Sequence, residues 1–215
     1  MPRSLTPPEV EGFRSRLIGV AARLFAEGGP AAVNMRNLSE QLNVSVMTPY
    51  RYFRDKDEIL AAARAWGFDA LSDALSTAFE AGGDECVDRA RSVAYAYLTF
   101  AFENDAVYKL MFDLSQPSET EYPDLARAAA RMRVVLVDYV RNLAEAGLVG
   151  GEPELAAHVF WAAFHGLVVL KLSDKVSPHL DFEEVWRELT RALTAGFAPA
   201  EGVGAGDGEV RLFAA

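Results

Sequence analysis

The sequence predicts an all-α fold, and three observations carry that prediction. Apolar residues recur every three or four positions through nearly all of the chain, the spacing of one helix face. Turn residues punctuate these stretches at Gly28-Gly29-Pro30, Gly82-Gly83, Gly147 and Ser177-Pro178-His179. No segment between turn signals alternates polar and apolar residues as a half-buried strand does. With 215 residues, 51% of them hydrophobic and 24% charged, the chain can bury a sizeable core without staples.

The elements follow in order. Thr6-Pro7-Pro8-Glu9 reads as a helix start: Thr6 caps, proline suits the first turn, and Glu9 sits where a capping-box partner belongs. Phe13, Leu17, Val20, Ala21, Leu24 and Phe25 then form one apolar face ending at Gly28. A short helix over residues 35–42, capped by Asn34, turns Leu38 and Leu42 inward. The turn Asn43-Val44-Ser45 leads to a third helix over residues 46–53 with Ser45 as its cap. Asp55 and Glu58 frame the start of a long helix whose apolar positions include Ile59, Ala63, Trp66, Ala70, Leu75 and Phe79. Further helices are expected over residues 85–103, 106–113, 124–146, 153–173 and 182–197, with residues 115–120 as a loop and Gly147 as a C-cap. The glycine-rich stretch from residue 199 reads as a flexible tail.

Composition excludes several function classes. Cys86 is the single cysteine, so neither an internal disulfide nor a cysteine zinc cluster can form, which fits a reducing compartment. The first residues lack the apolar core of a signal peptide, and the most apolar stretch, residues 159–170, is too short to span a bilayer. A soluble, cytoplasmic chain with no membrane partner is expected. Glu154, His158 and His165 stand at poor metal spacings without an HExxH pattern, and Gly202-x-Gly204-x-Gly206 follows no strand. No metal, cofactor or catalytic residue is assigned, and the chain does not read as an enzyme.

Charge is unevenly placed. The net charge is −10, yet residues 1–56 carry eight Lys/Arg against five Asp/Glu, a balance of +3, and the remainder carries −13. A polyanion is repelled by most of this molecule and tolerated by its first quarter. Two short helices joined by a three-residue turn, with a longer helix before them, describe a helix-turn-helix. In that module the start of the second helix faces base edges and phosphates, and here it reads Ser45-Val46-Met47-Thr48. Leu38, Leu42, Val44 and Phe53 are spaced to lock the two helices together, which leaves Tyr50, Arg51 and Tyr52 largely outside. Their hydroxyl and guanidinium donors suit a phosphate backbone. Lys56 adds its charge at the positive end of the next helix.

The pattern Val44-Ser45-x-x-Thr48-x-Tyr50-x-Tyr52-Phe53-x-x-Lys56-x-x-Ile59-Leu60, preceded by residues 31–42, resembles the DNA-binding signature of TetR-type transcriptional repressors. One departure is Pro49, where that family usually has leucine; proline removes an early helix hydrogen bond and disfavours α geometry at Thr48. The resemblance implies a homodimer that binds a palindromic double-stranded DNA operator near a promoter. Release of DNA would follow entry of a small ligand into the C-terminal domain. On the matched positions, Ser45, Val46, Met47, Thr48 and Arg51 would read base edges, while Arg36, Tyr50, Tyr52 and Lys56 would position the backbone. The expected organisation is a helix-turn-helix domain over residues 1–55, a ligand-sensing and dimerising helical bundle over 56–198, and a tail over 199–215.

The helix over residues 153–173 is apolar nearly all round and needs cover on both sides, one from its own core and one from a second subunit. Within it, Trp161-x-x-x-His165-Gly166 resembles the tryptophan-histidine-glycine (WHG-type) pattern of one subgroup of TetR-like C-terminal domains. Trp161 and His165 share a face. With Trp66, Tyr95, Tyr97, Phe100, Phe102, Tyr108, Met111, Phe112 and Met132, they are the candidate lining for a small apolar or amphipathic effector. The alternative reading is a helical protein-interaction module whose DNA-binding motif is vestigial.

Overall fold

A computed structural model describes residues 6–199. Among them are eight α-helices, two short 3-10 turns and no strand: α1 Pro7–Ala32, α2 Met35–Gln41, α3 Lys56–Ala81, α4 Cys86–Glu103, α5 Asp105–Met111, α6 Pro123–Glu145, α7 Pro153–Leu172 and α8 Phe182–Gly196. The expected tail lies outside the described residues beyond Pro199.

Local chemistry accounts for most boundaries. The Thr6 amide and hydroxyl both donate to Glu9 Oε2, at 2.8 and 2.9 Å, and so close the first turn of α1. That helix breaks at Gly28-Gly29, where Gly29 takes φ 65°, a conformation that glycine adopts at little cost, and one turn resumes through Ala32. At the end of α2, Asn43 takes φ 51° while its amide donates to the Glu40 carbonyl and the Val44 amide to that of Ser39. Gly147 closes α6 in the same way, its amide reaching Ala144 and that of Leu148 reaching Leu143. The segment expected as a loop at 115–120 contains a 3-10 turn, Glu119–Glu121, held by the Ser118 amide donating to Glu121 Oε1 at 3.2 Å.

The third helix expected over residues 46–53 is not an α-helix. Only Pro49–Arg51 form a helical element, a single 3-10 turn. Pro49 has no N–H to give the Ser45 carbonyl, which instead accepts from the Thr48 amide at 2.7 Å, three residues on rather than four. The Arg51 amide then donates to Thr48 and that of Tyr52 to Pro49. Thr48 itself keeps helical angles, φ −67° and ψ −48°, despite the proline that follows it.

The chain folds into two compact units, and the division falls inside α3 and α6. One unit holds the described residues up to Ala70 together with Asn104–Arg131. Its core joins Phe13, Leu17, Val20, Ala21 and Phe25 of α1 to Leu38 of α2, Phe53, Ile59 and Leu60, and Leu110 of α5. The other unit holds Leu71–Glu103 and the described residues from Met132 on, with α7 packed between α4 and α8. Val140, Val149, Ala156 and Ala157 form a buried cluster there.

Two positions on the long helices depart from expectation. Trp66, expected on the apolar face of α3, is 46% exposed and shares an outward stripe with Asp73, Thr77 and Glu80. Arg64 is buried instead, its guanidinium donating to the Pro117 carbonyl at 2.9 Å, and burial pushes its pKa below the ordinary value. By length and composition α7 is apolar enough to cross a bilayer, contrary to the shorter run read from the sequence. A core helix passes the same test, and Ala156, Ala157, Leu167 and Val168 of α7 are buried within their unit.

Candidate nucleic-acid interface

The tip of the first unit is built from α2 and the turn that follows it. Asn34 caps α2 by accepting from the Asn37 amide at 2.9 Å, and the Asn37 side chain donates to the Ala32 carbonyl. Ser39, fully buried, bonds back to the Met35 carbonyl at 2.7 Å, so α2 presents only Leu38 and Met35 as apolar anchors. The Ser45 hydroxyl accepts from the Met47 amide at 3.4 Å. Val46, Met47 and Tyr50 are 49%, 67% and 49% exposed, large side chains that the described residues leave largely uncovered. Arg36, Ser45 and Arg51 are exposed as well, while Thr48 and Lys56 are half-buried.

Tyr52 differs from its neighbours. Expected largely outside, it is half-buried, its ring 4.7 Å from that of Phe13 and packed on the core, while the Arg14 guanidinium donates to its carbonyl at 2.8 Å. Arg14 went unnoticed in the sequence because nothing local marks an α1 arginine that reaches a residue 38 positions away.

The cations at the tip divide into two sets. Arg54 is paired with Asp55 at 3.0 Å. Arg36, Arg51 and Lys56 make no hydrogen bond or ion pair among the described residues, so their charge is open to a phosphate. Asp55 accepts from the Glu58 amide at 2.9 Å and sets where α3 starts, which places Lys56 in its first turn.

The second unit holds a partly open cavity of about 80 Å³. Its walls come from α3 (Leu75, Phe79), α4 (Cys86, Val93, Ala94, Tyr97), α6 (Leu136, Tyr139, Leu143) and α7 (Ala157, Phe160, Trp161, Phe164), with no acidic or basic side chain among them. Phe79 stacks on Tyr139 at 4.9 Å, and the Tyr139 hydroxyl donates to Ser76 at 3.2 Å. Of the residues expected to line a ligand site, Trp161 and Tyr97 are on this wall. Phe100, Tyr108, Met111 and Met132 are buried packing residues, and Phe112 packs on Phe68 and Tyr108. Phe102 stacks edge-on against Phe182, Trp66 and Tyr95 face solvent, and His165 is half-buried off the wall. Sequence periodicity marked which residues turn inward but not which helix faces meet, so Phe79, Tyr139 and Phe160 were missed.

Among the described residues no group of three or more His, Cys, Asp or Glu is placed to hold a metal ion. His158 Nδ1 lies 2.8 Å from the Glu154 carbonyl on the exposed side of α7.

Comparison with known proteins adds to this geometry. Over 70 residues the chain is 34% identical to the HTH-type transcriptional repressor KstR of Mycolicibacterium smegmatis, a stretch that covers 33% of this chain and 34% of that protein. The chain thus matches about a third of the length of that curated relative. A solved structure from Rhodococcus sp. RHA1, of unknown function, shares the fold with a TM-score of 0.73 at 24% identity, covering 92% of this chain and 99% of that one. PfmR, a TetR family transcriptional regulator from Thermus thermophilus, does so with a TM-score of 0.67 at 22% identity, covering 84% and 97%. Residues 17–63 match the profile of bacterial regulatory proteins of the tetR family, and residues 90–193 match the tetracyclin repressor-like C-terminal domain. With a profile of this family on its N-terminal helices and a second on its C-terminal helices, the chain belongs to the TetR family of bacterial regulatory proteins.

Proposed function

We propose that the protein is a DNA-binding transcriptional repressor of the cytoplasm, acting as a homodimer on a palindromic operator and released by a small uncharged effector. The observation that carries this reading is the tip itself. Three cations unpaired among the described residues, Arg36, Arg51 and Lys56, share the first unit with the exposed Val46, Met47 and Tyr50 on an otherwise acidic chain. Phosphates would be held by the cations and by Tyr50, while Ser45, Val46, Met47, Thr48 and Arg51 would meet base edges, Val46 and Met47 being suited to a thymine methyl and Arg51 to a guanine. Tyr52 would support this surface from beneath more than it touches DNA, since its ring packs on Phe13.

Dimerisation is supported by α7. Leu155, Val159, Ala162, Val169 and Leu170 form an exposed apolar stripe along one side of that helix. A side chain at Gly166, within this stripe, would meet nothing within 4 Å among the described residues, which leaves room for the close approach of a second copy. The cavity supports an effector of a particular kind. An ionised ligand there would lose its hydration with no counter-charge on the wall, so a neutral apolar molecule with one hydroxyl or carbonyl fits better. The WHG-type reading of the C-terminal domain rests on Trp161, His165 and Gly166, of which Trp161 meets the cavity.

Selection of duplexes from a random-sequence pool by the pure protein tests the central claim. Enrichment of an inverted repeat, with half-sites about one helical turn apart or somewhat more, is expected. Recovery of no sequence, or of binding insensitive to salt, would overturn the reading in favour of a helical protein-interaction module.

A further inference from the structure

We propose that Arg14, on α1, is the positioning residue that sets the aim of the recognition turn, and so fixes sequence discrimination without touching DNA; this rests on the DNA-binding reading above. The segment from Ser45 to Phe53 cannot hold itself. Pro49 withholds the N–H that the Ser45 carbonyl would accept, and the helical element that remains is three residues long. So short a run has no helical stability of its own, and its orientation is set by what grips it from outside.

Two adjacent residues of α1 supply that grip. Phe13 lays its ring 4.7 Å from the Tyr52 ring, tilted by 37°. Arg14 donates to the Tyr52 carbonyl at 2.8 Å and places its guanidinium carbon 4.3 Å from the centre of the Phe53 ring. The carbonyl is one that the end of a helical turn leaves without an intrahelical donor, where a cation is also electrostatically favoured. The hydrogen bond fixes the carbonyl direction and the stacking fixes the ring plane, so the exit of the turn is held in two independent directions. Phe13 and the buried Phe53 hold the turn by side-chain packing, and Arg14 adds a directional hold on the backbone carbonyl at its exit. A roll of the turn moves Val46, Met47 and Arg51 together relative to the base edges, because Val46 and Met47 lie at the other end of the same short segment and Arg51 directly precedes Tyr52. Since the Arg14 cation is committed to this carbonyl and ring, it adds nothing to the phosphate contacts of Arg36, Arg51 and Lys56.

The test compares wild type, Arg14→Gln and Arg14→Lys on the duplex enriched by the wild-type protein and on a scrambled duplex of equal length, over a series of salt concentrations. Arg14→Gln is expected to lose about tenfold in affinity for the enriched duplex, the scale of one charge-assisted hydrogen bond. Its affinity for the scrambled duplex and its salt slope should stay unchanged. Arg14→Lys, which keeps a donor but not the planar stack, should fall between the two, and it carries the test if Arg14→Gln does not fold. The same loss should shrink several-fold in a Pro49→Ala background, where the restored N–H lets residues 46–53 hold a helix of their own. A mere loss of folding stability would weaken both duplexes alike and would not be relieved there, so that outcome overturns the proposal. A salt slope lower by about one unit would mark Arg14 as a phosphate contact and overturn it too. A wild type that enriches no duplex removes the DNA-binding reading and the brace with it, whereas equal discrimination by wild type and Arg14→Gln removes the brace alone.

Discussion

The recognition tip and the cavity wall put large side chains to opposite uses. At the tip, Val46, Met47 and Tyr50 stand in solvent on a segment with hardly any regular structure, held from behind by Phe13 and Arg14. Around the cavity, Phe79, Tyr97, Phe160 and Trp161 come from regular helices and leave a space between them. The tip is an outward chemical surface whose specificity lies in charges and edges; the cavity is an inward shape whose specificity lies in volume and in the absence of charge. A surface of the first kind can be written in a few consecutive residues. A volume of the second kind needs four helices to meet in register.

The largest way to sharpen this contrast is to discharge the tip. Replacing Arg36, Arg51 and Lys56 together by alanine should lower operator affinity by about a thousandfold at moderate salt and flatten the log–log salt slope by about 2.7, with ligand binding in the cavity unchanged. Fluorescence anisotropy across a salt series measures both. A slope that does not move would mean these cations face no phosphate. Next comes the cavity. Ala94, buried on its wall, should as Ala94→Met fill part of the space and abolish the stabilisation given by a neutral apolar ligand, about 2.7 kcal/mol at a hundredfold excess over Kd, while operator affinity without ligand persists. Thermal shift with matched alcohol and carboxylate probes reads this, and a wild type that prefers the carboxylate breaks the comparison.

A smaller effect is expected at Gly166→Ala. The added methyl meets nothing within 4 Å among the described residues, so the helix gains about 1 kcal/mol in propensity, while a dimer packed on that stripe weakens. Sedimentation equilibrium showing an unaltered dimer would place the interface elsewhere. The smallest effect is a pH dependence from His165. Burial holds its pKa below the ordinary 6.5, so the unfolded chain takes up a proton that the folded chain refuses. Stability from this residue is present above pH 6.5 and falls as pH drops below it, and His165→Gln should flatten that part of a chemical-denaturation profile.

Much of the architecture was legible because helix signals are local. The Thr6–Glu9 pair, Asn34, Gly147 and the three-and-four spacing of Leu17, Val20 and Ala21 act within one or two turns, and each does in the structure what its type dictates. Trp66 shows where that logic stops. Its spacing from Ile59 and Ala63 suited an inward face, yet α3 is covered on nearly every other side, and its one outward stripe passes through Trp66. Arg64 shows the converse, a charge buried because a carbonyl 53 residues away is there to receive it.

By itself, then, the order of residues determined the helical class of the described residues, most of the helix ends to within a few residues, and a cluster of cations in the first 56 residues of an otherwise acidic chain. Only the tertiary structure decided that the turn through Pro49–Arg51 is steadied by Arg14, and that Phe79, Tyr139 and Phe160 line a space while Met111 and Met132 are packed among their neighbours. The physical reason is range: caps, turns and charge act over a few residues, whereas a brace and a void exist only where segments far apart in the chain are packed together.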